Sequence, residues 1–130
     1  MKIVKLDHFV LTVANIEASV DFYTKVLGMT KETFGENRVA LKYGDQKINL
    51  HDSGGRIIPR AGNPTPGAHD LCFVTDTPLD AAMSFVKSFG IEIIEGPVVR
   101  TGTCTPLHSF YFRDPDKNLI EVANEIPATR

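Results

Sequence analysis

The chain has 130 residues, 42% hydrophobic and 23% charged, with a formal net charge of −2 at pH 7. That length and balance suit one compact domain with a real core, and the lack of a basic block argues against nucleic acid as a partner. No apolar run approaches the ~18 residues that span a bilayer, no signal-peptide core opens the chain, and Cys72 and Cys104 show no paired spacing, so a cytoplasmic protein with reduced thiols is expected.

Residues 3–13 alternate, with Phe9, Leu11 and Val13 opposing His8, Val10 and Thr12, which predicts a strand. Asn15 reads as an N-cap, Ile16, Val20, Tyr23 and Leu27 recur at helical spacing, and Gly28 stops the helix. Three strands are predicted over about 29–35, 37–43 and 46–51, parted by Gly35-Glu36-Asn37 and Gly44-Asp45. Residues 52–67, with Ser53-Gly54-Gly55 and Asn63-Pro64-Thr65-Pro66-Gly67, read as a loop.

The order then repeats. A strand is predicted over 68–75, Thr77 is the expected cap with Pro78 at the first helical position, and Leu79, Met83, Val86 and Phe89 make the helix stripe, ended by Gly90. Strands are predicted over about 91–95, 107–113 and 118–124, with an insertion at 96–105 and a turn at Asp114-Pro115-Asp116-Lys117-Asn118. The chain thus reads as two βαβββ copies: module one about 3–52, a linker about 53–66, and module two about 67–125. The fold class is α+β, with one sheet face on the helices and the other free to curve into a cavity.

Metal-type residues mark both ends of each copy: His8 and His51 in the first, His69 and Glu121 in the second. The offset between copies is 61 residues for His8 and His69, 62 for Gly28 and Gly90, and 70 for His51 and Glu121. Three imidazoles and a carboxylate suit a divalent transition metal (Ni, Zn, Co, Mn or Fe) better than Ca or Mg. His8, His51 and Glu121 oppose the aliphatic stripe of their strands, whereas His69 shares its face with Leu71 and Phe73.

At His8-x-x-Leu11-x-Val13, Ser19-x-x-Phe22-Tyr23-x-x-x-Leu27-Gly28-Met29 and Tyr111-Phe112-Arg113-Asp114-Pro115-Asp116-x-Asn118-x-x-Glu121, the chain resembles the vicinal oxygen chelate superfamily of glyoxalase I, extradiol dioxygenases, fosfomycin-resistance enzymes and bleomycin-resistance proteins. Gln46-Lys47-Ile48-Asn49-Leu50-His51 and Pro64-Thr65-Pro66-Gly67 are similar to small virulence-associated, lactoylglutathione-lyase-like members. The resemblance implies a single domain whose curved mixed sheet surrounds a metal cavity, a small-molecule substrate and a homodimer. It places metal ligands at His8, His51, His69 and Glu121, and catalytic roles at Glu121 as proton carrier and at Tyr111 and His108 beside it.

The activity it implies is a metal-dependent glyoxalase-like lyase or isomerase working by metal-stabilised enediolate chemistry on a small oxygen-chelating metabolite. Ring-opening dioxygenation with Fe(II) is the alternative; it needs three free coordination positions, hence His8, His69 and Glu121 alone. A non-catalytic antibiotic-binding protein is the third reading. Thr12 and Gly55 stand where glyoxalase I holds an arginine and an asparagine for glutathione, which argues against a glutathione adduct as substrate.

Overall fold

The structure, a computed structural model, describes residues 1–127. It divides into two compact units, Met1–Ala68 and a second beginning at His69. The first unit contains β1 (His8–Val13), α1 (Ile16–Lys25), β2 (Thr30–Phe34), β3 (Arg38–Tyr43) and β4 (Gln46–Asp52). The second contains β5 (Asp70–Val74), α2 (Leu79–Lys87), β6 (Glu95–Thr101), β7 (Pro106–Arg113) and β8 (Leu119–Glu125). Each forms a four-stranded mixed sheet, ordered β1-β4-β3-β2 and β5-β8-β7-β6, with the first strand parallel to the last. These are the two expected βαβββ modules.

In the first unit Leu11, Val13, Leu41, Ile48 and Leu50 share one face and are buried. The alternation of β1 and β4 gathers them there, and α1 packs across the sheet. The Asn15 side chain accepts from Ala18 N at 2.8 Å, Ser19 and Tyr23 turn inward, and Gly28 leaves the helix at φ +67°. In the second unit Phe110, Phe112, Ile120 and Val122 form the matching buried face. Leu79, Ala82 and Val86 supply the buried side of α2.

Four expectations are corrected. β1 starts at His8 rather than residue 3, because its partner β4 begins at Gln46 and offers Lys47 as the rung for His8. The N-cap of α2 is Pro78, whose carbonyl accepts from Ala82 N, while Thr77 N donates to Thr75 Oγ1. Phe89 lies beyond α2, exposed and edge-on to Phe85. The stretch taken as an insertion at 96–105 is largely strand: β6 is an edge strand that takes in Gly96-Pro97 through a register shift between Glu95 and Val98, the place where a sheet tolerates proline.

Candidate functional site

Register decides which side chains can meet. In the first unit His8 is on the rung of Lys47 and His51 on that of Thr12, on the same face but four residues farther along. At ~3.3 Å per residue this separates them by about 13 Å, too far for both imidazoles to grip one ion. His8 is exposed, and its Nδ1 is 2.8 Å from Asp7 Oδ2. A carboxylate on one ring nitrogen fixes the tautomer that presents the other as a lone pair, the usual support of a ligating histidine. His51 has the opposite surroundings. Its Nε2 lies 3.4 Å from Arg38 Nη2, and burial, then the Arg38 charge, lower its pKa. A guanidinium at that nitrogen repels a cation.

In the second unit one rung carries Cys72, Glu121, Tyr111 and Glu95 across four strands. Glu121 lies against the Cys72 thiol and the Tyr111 hydroxyl, and its buried Oε2 has no partner. An unpaired buried carboxylate oxygen carries a desolvation cost that a bound cation or proton donor removes. Arg100 Nε donates to Tyr111 Oη at 3.0 Å, and Arg100 Nη2 to Glu95 Oε1 at 3.0 Å. Burial raises the Tyr111 phenol, partly offset by Arg100, so it stays a donor at neutral pH. Burial first, then the Glu121 charge, push the Cys72 thiol up to about 11. Above this face opens a cleft of about 430 Å³ lined by Cys72, Glu121, Glu125, Leu107 and the 101–105 loop with Cys104. Gly102 seats that loop, since a Cβ there would overlap Thr105 O and approach Leu107 Cγ to 2.8 Å.

The two other second-unit candidates sit differently. His108 is exposed, with the strand parity of Phe110 and Phe112, opposite Tyr111 and Glu121. It therefore reads as a solvated residue rather than a catalytic one. His69 precedes β5; its N–H donates to Asn118 Oδ1 at 2.9 Å and its carbonyl accepts from Leu119 N at 3.0 Å. By alternation it has the parity of Leu71 and Phe73, away from Glu121, although its buried Nδ1 lacks a partner. Asp70, the first residue of β5 as His8 is of β1, is on the Glu121 face.

Matching the modules by strand starts and by Gly28 with Gly90 makes Asp70 the counterpart of His8. It makes Asn49, whose rung holds Val10, Ala40 and Glu32, the counterpart of Glu121. Asn49 is 5% exposed and its Oδ1 has no partner. Sequence reading passed over Asp70 and Asn49. The signal for Asp70 was the alternation of Leu71 and Phe73, which puts Asp70 and Cys72 on the open face. Among the described residues no three His, Cys, Asp or Glu side chains gather as a metal-holding group, and no helix is long and apolar enough to cross a membrane.

Two curved βαβββ modules, each with a polar rung on the face away from its helix, define a class, and the whole-chain comparison agrees. Residues 5–122 match the family model of the glyoxalase/bleomycin resistance protein/dioxygenase superfamily, and the chain belongs to that superfamily. It is 48% identical over 126 residues to virulence protein STM3117 of Salmonella typhimurium, covering 97% of this chain and 88% of that protein. It is 47% identical over 119 residues to the glyoxalase domain-containing protein RDO1 of Mycosarcoma maydis, covering 92% of this chain and 67% of that one. An integron cassette protein from the mobile metagenome of Vibrio cholerae has 56% identity and a TM-score of 0.94, over 95% of this chain and 97% of that chain.

Proposed function

We propose that the protein is a metal-dependent lyase or isomerase of the glyoxalase type, acting on a small metabolite with adjacent oxygen atoms. The observation that carries this reading is the unpaired Oε2 of Glu121, held against Tyr111 and Cys72 at the mouth of an open cleft. The proposed ligands are, in the first unit, His8 backed by Asp7 and, in the second, Glu121 with Asp70 on the same sheet face, each unit taken by itself; the Asp7–His8 pair and the open carboxylate oxygen each suit a divalent transition metal. His51 is left out because Arg38 faces its nitrogen. When bound, the ion supplies Lewis acidity to neighbouring substrate oxygens.

The chain's own groups do the rest. The Glu121 carboxylate, through the oxygen that does not hold the ion, takes the proton from the carbon beside the carbonyl and returns it to the neighbouring carbon. Tyr111 Oη, oriented by Arg100 Nε, donates to a substrate oxygen as negative charge develops there. Cys72 stays a neutral thiol beside Glu121 and forms part of the wall. We take the protein to act as a cytoplasmic homodimer, a compartment that suits free Cys72 and Cys104.

The two carboxylates Asp70 and Glu121 on one face of the second unit depart from the two-histidine, one-carboxylate set of Fe(II) oxygenases, which favours the non-redox class. Ring-cleaving dioxygenation is the second reading, supported by the open Nδ1 of His69, a ligand-type group that the lyase reading leaves unused. Elemental analysis of natively purified protein and its variants tests both. His8→Ala and Glu121→Gln should lose the metal, whereas His51→Ala and His69→Ala should keep it. Loss of metal in His69→Ala, with oxygen uptake on catechols, would favour the dioxygenase. Metal below a tenth of an equivalent in the wild type, with no response to added Ni, Zn, Mn or Fe(II), would end both readings.

A further inference from the structure

The open face of the first unit carries a cationic cluster that the chemistry above does not use. Lys47, Asn49 and His51 alternate along one face of β4, and Arg38 lies across from His51 on β3. Phe34, on the rung of Arg38, receives the Arg38 guanidinium at 4.8 Å and the Lys47 ammonium at 4.3 Å from its ring centroid. Phe34 and Lys47 stand two strands apart and several rungs apart, so their meeting requires a concave face. Ala40 and Asn49 lie fully or almost fully buried in the middle of that face.

Two features point to an absent ligand. Among the described residues neither Arg38 nor Lys47 has an acidic partner at ion-pair distance, whereas Lys25, Lys42 and Arg100 each do. Asp7, near Lys47, has its side chain turned to His8, and Glu32, on the rung of Ala40 and Asn49, lies 3.8 Å from Lys42. Beside these cations, Asn49 keeps a buried Oδ1 with no donor. Stacking on Phe34 steadies the cations but neutralises neither. A carboxylate would supply the missing negative charge through charge-assisted hydrogen bonds, and a hydroxyl beside it would donate to Asn49 Oδ1.

We propose that Arg38, Lys47 and Asn49 form a subsite for a 2-hydroxycarboxylate group, so that the substrate is a small hydroxy or enol acid held by its carboxylate on the first module. This rests on reading the chain as a small-molecule enzyme, but not on the metal. Phe34 and His51 position Arg38, the first by stacking and the second by accepting from Nη2.

The test is an ¹⁵N-NMR titration with glycolate and its uncharged amide, glycolamide, on protein as purified and after chelator treatment. Glycolate should saturate amide shifts confined to residues 38–40 and 47–51 in both preparations, and glycolamide should bind about tenfold or more weakly, as expected for loss of a charge-assisted contact. Arg38→Gln and Lys47→Gln should each weaken glycolate by a similar factor. Asn49→Ala should reduce the preference for glycolate over acetate. Lys31→Gln, an exposed change on β2, should match wild type. Equal binding of glycolate and glycolamide, or wild-type affinity in Arg38→Gln, overturns the subsite. Binding that disappears with the chelator also overturns it, because the ion would then hold the carboxylate. Glycolate binding in a protein that never takes metal would leave this subsite standing and remove the metal-dependent reading.

Discussion

Cys72 offers a direct readout of the charge at Glu121. Burial and the neighbouring carboxylate push its thiol from an ordinary 9.0 to about 11. Since the thiolate is the nucleophile, at pH 8 a thiol at 9.0 is about 10% ionised and one at 11 about 0.1%; the greater nucleophilicity of the more basic thiolate offsets about tenfold of that loss, so Cys72 should alkylate roughly tenfold more slowly than an unperturbed cysteine. The assay is iodoacetamide labelling of the Cys104→Ser protein from pH 7 to 11, read by intact mass. Glu121→Gln removes the carboxylate charge but leaves the burial, so it should recover only part of that factor. A hard divalent ion such as Mn(II), bound at Glu121 Oε2, reverses the sign of the local field and should speed labelling at pH 8. An apparent value near 9 in the metal-free protein, or identical profiles for Glu121→Gln and its parent, would refute the placement of Glu121 against Cys72. Stoichiometric Mn(II) with no change in the profile would refute Glu121 as a ligand.

Other outcomes follow from the same geometry. His51 ionises less readily folded than unfolded, because burial and Arg38 lower its pKa from 6.5. The unfolded chain then binds more protons just below that pH, so stability should fall as pH drops through about 6.5; urea unfolding at stepped pH should show this slope in wild type and a shallower one in His51→Gln. Gly96→Ala should cost about 3 kcal/mol or more, since φ is +124° and a Cβ would sit 2.6 Å from Phe110 Cβ and 2.8 Å from Ser109 O; a loss under 1 kcal/mol in urea would contradict the close approach of β6 to β7. Asp114→Ala should cost about 2–4 kcal/mol, because the buried carboxylate accepts from Asp116 N, Asn118 N and Asn118 Nδ2. The same change should disturb the His69 amide, which depends on Asn118 Oδ1, as a shifted or broadened ¹⁵N signal.

The duplicated βαβββ order, both helices, the turn at 114–118 and the buried faces were legible in one dimension, because alternation, helical spacing and Gly or Asn stops are local consequences of backbone geometry. So was the strand face of Glu121, which opposes Ile120 and Val122, and of Tyr111, which opposes Phe110 and Phe112. Strand pairing was not local. A one-residue slip moves a side chain to the other face of the sheet, and this slip separates His69 from Asp70. The distance between His8 and His51 depends on where β4 begins against β1, and the company of His51 depends on Arg38 arriving from β3. Residue types announced a polar, ion-seeking face; only the hydrogen-bonded register decided which of them stand together on it, because side chains on neighbouring strands are joined through the backbone ladder and not through their order in the chain.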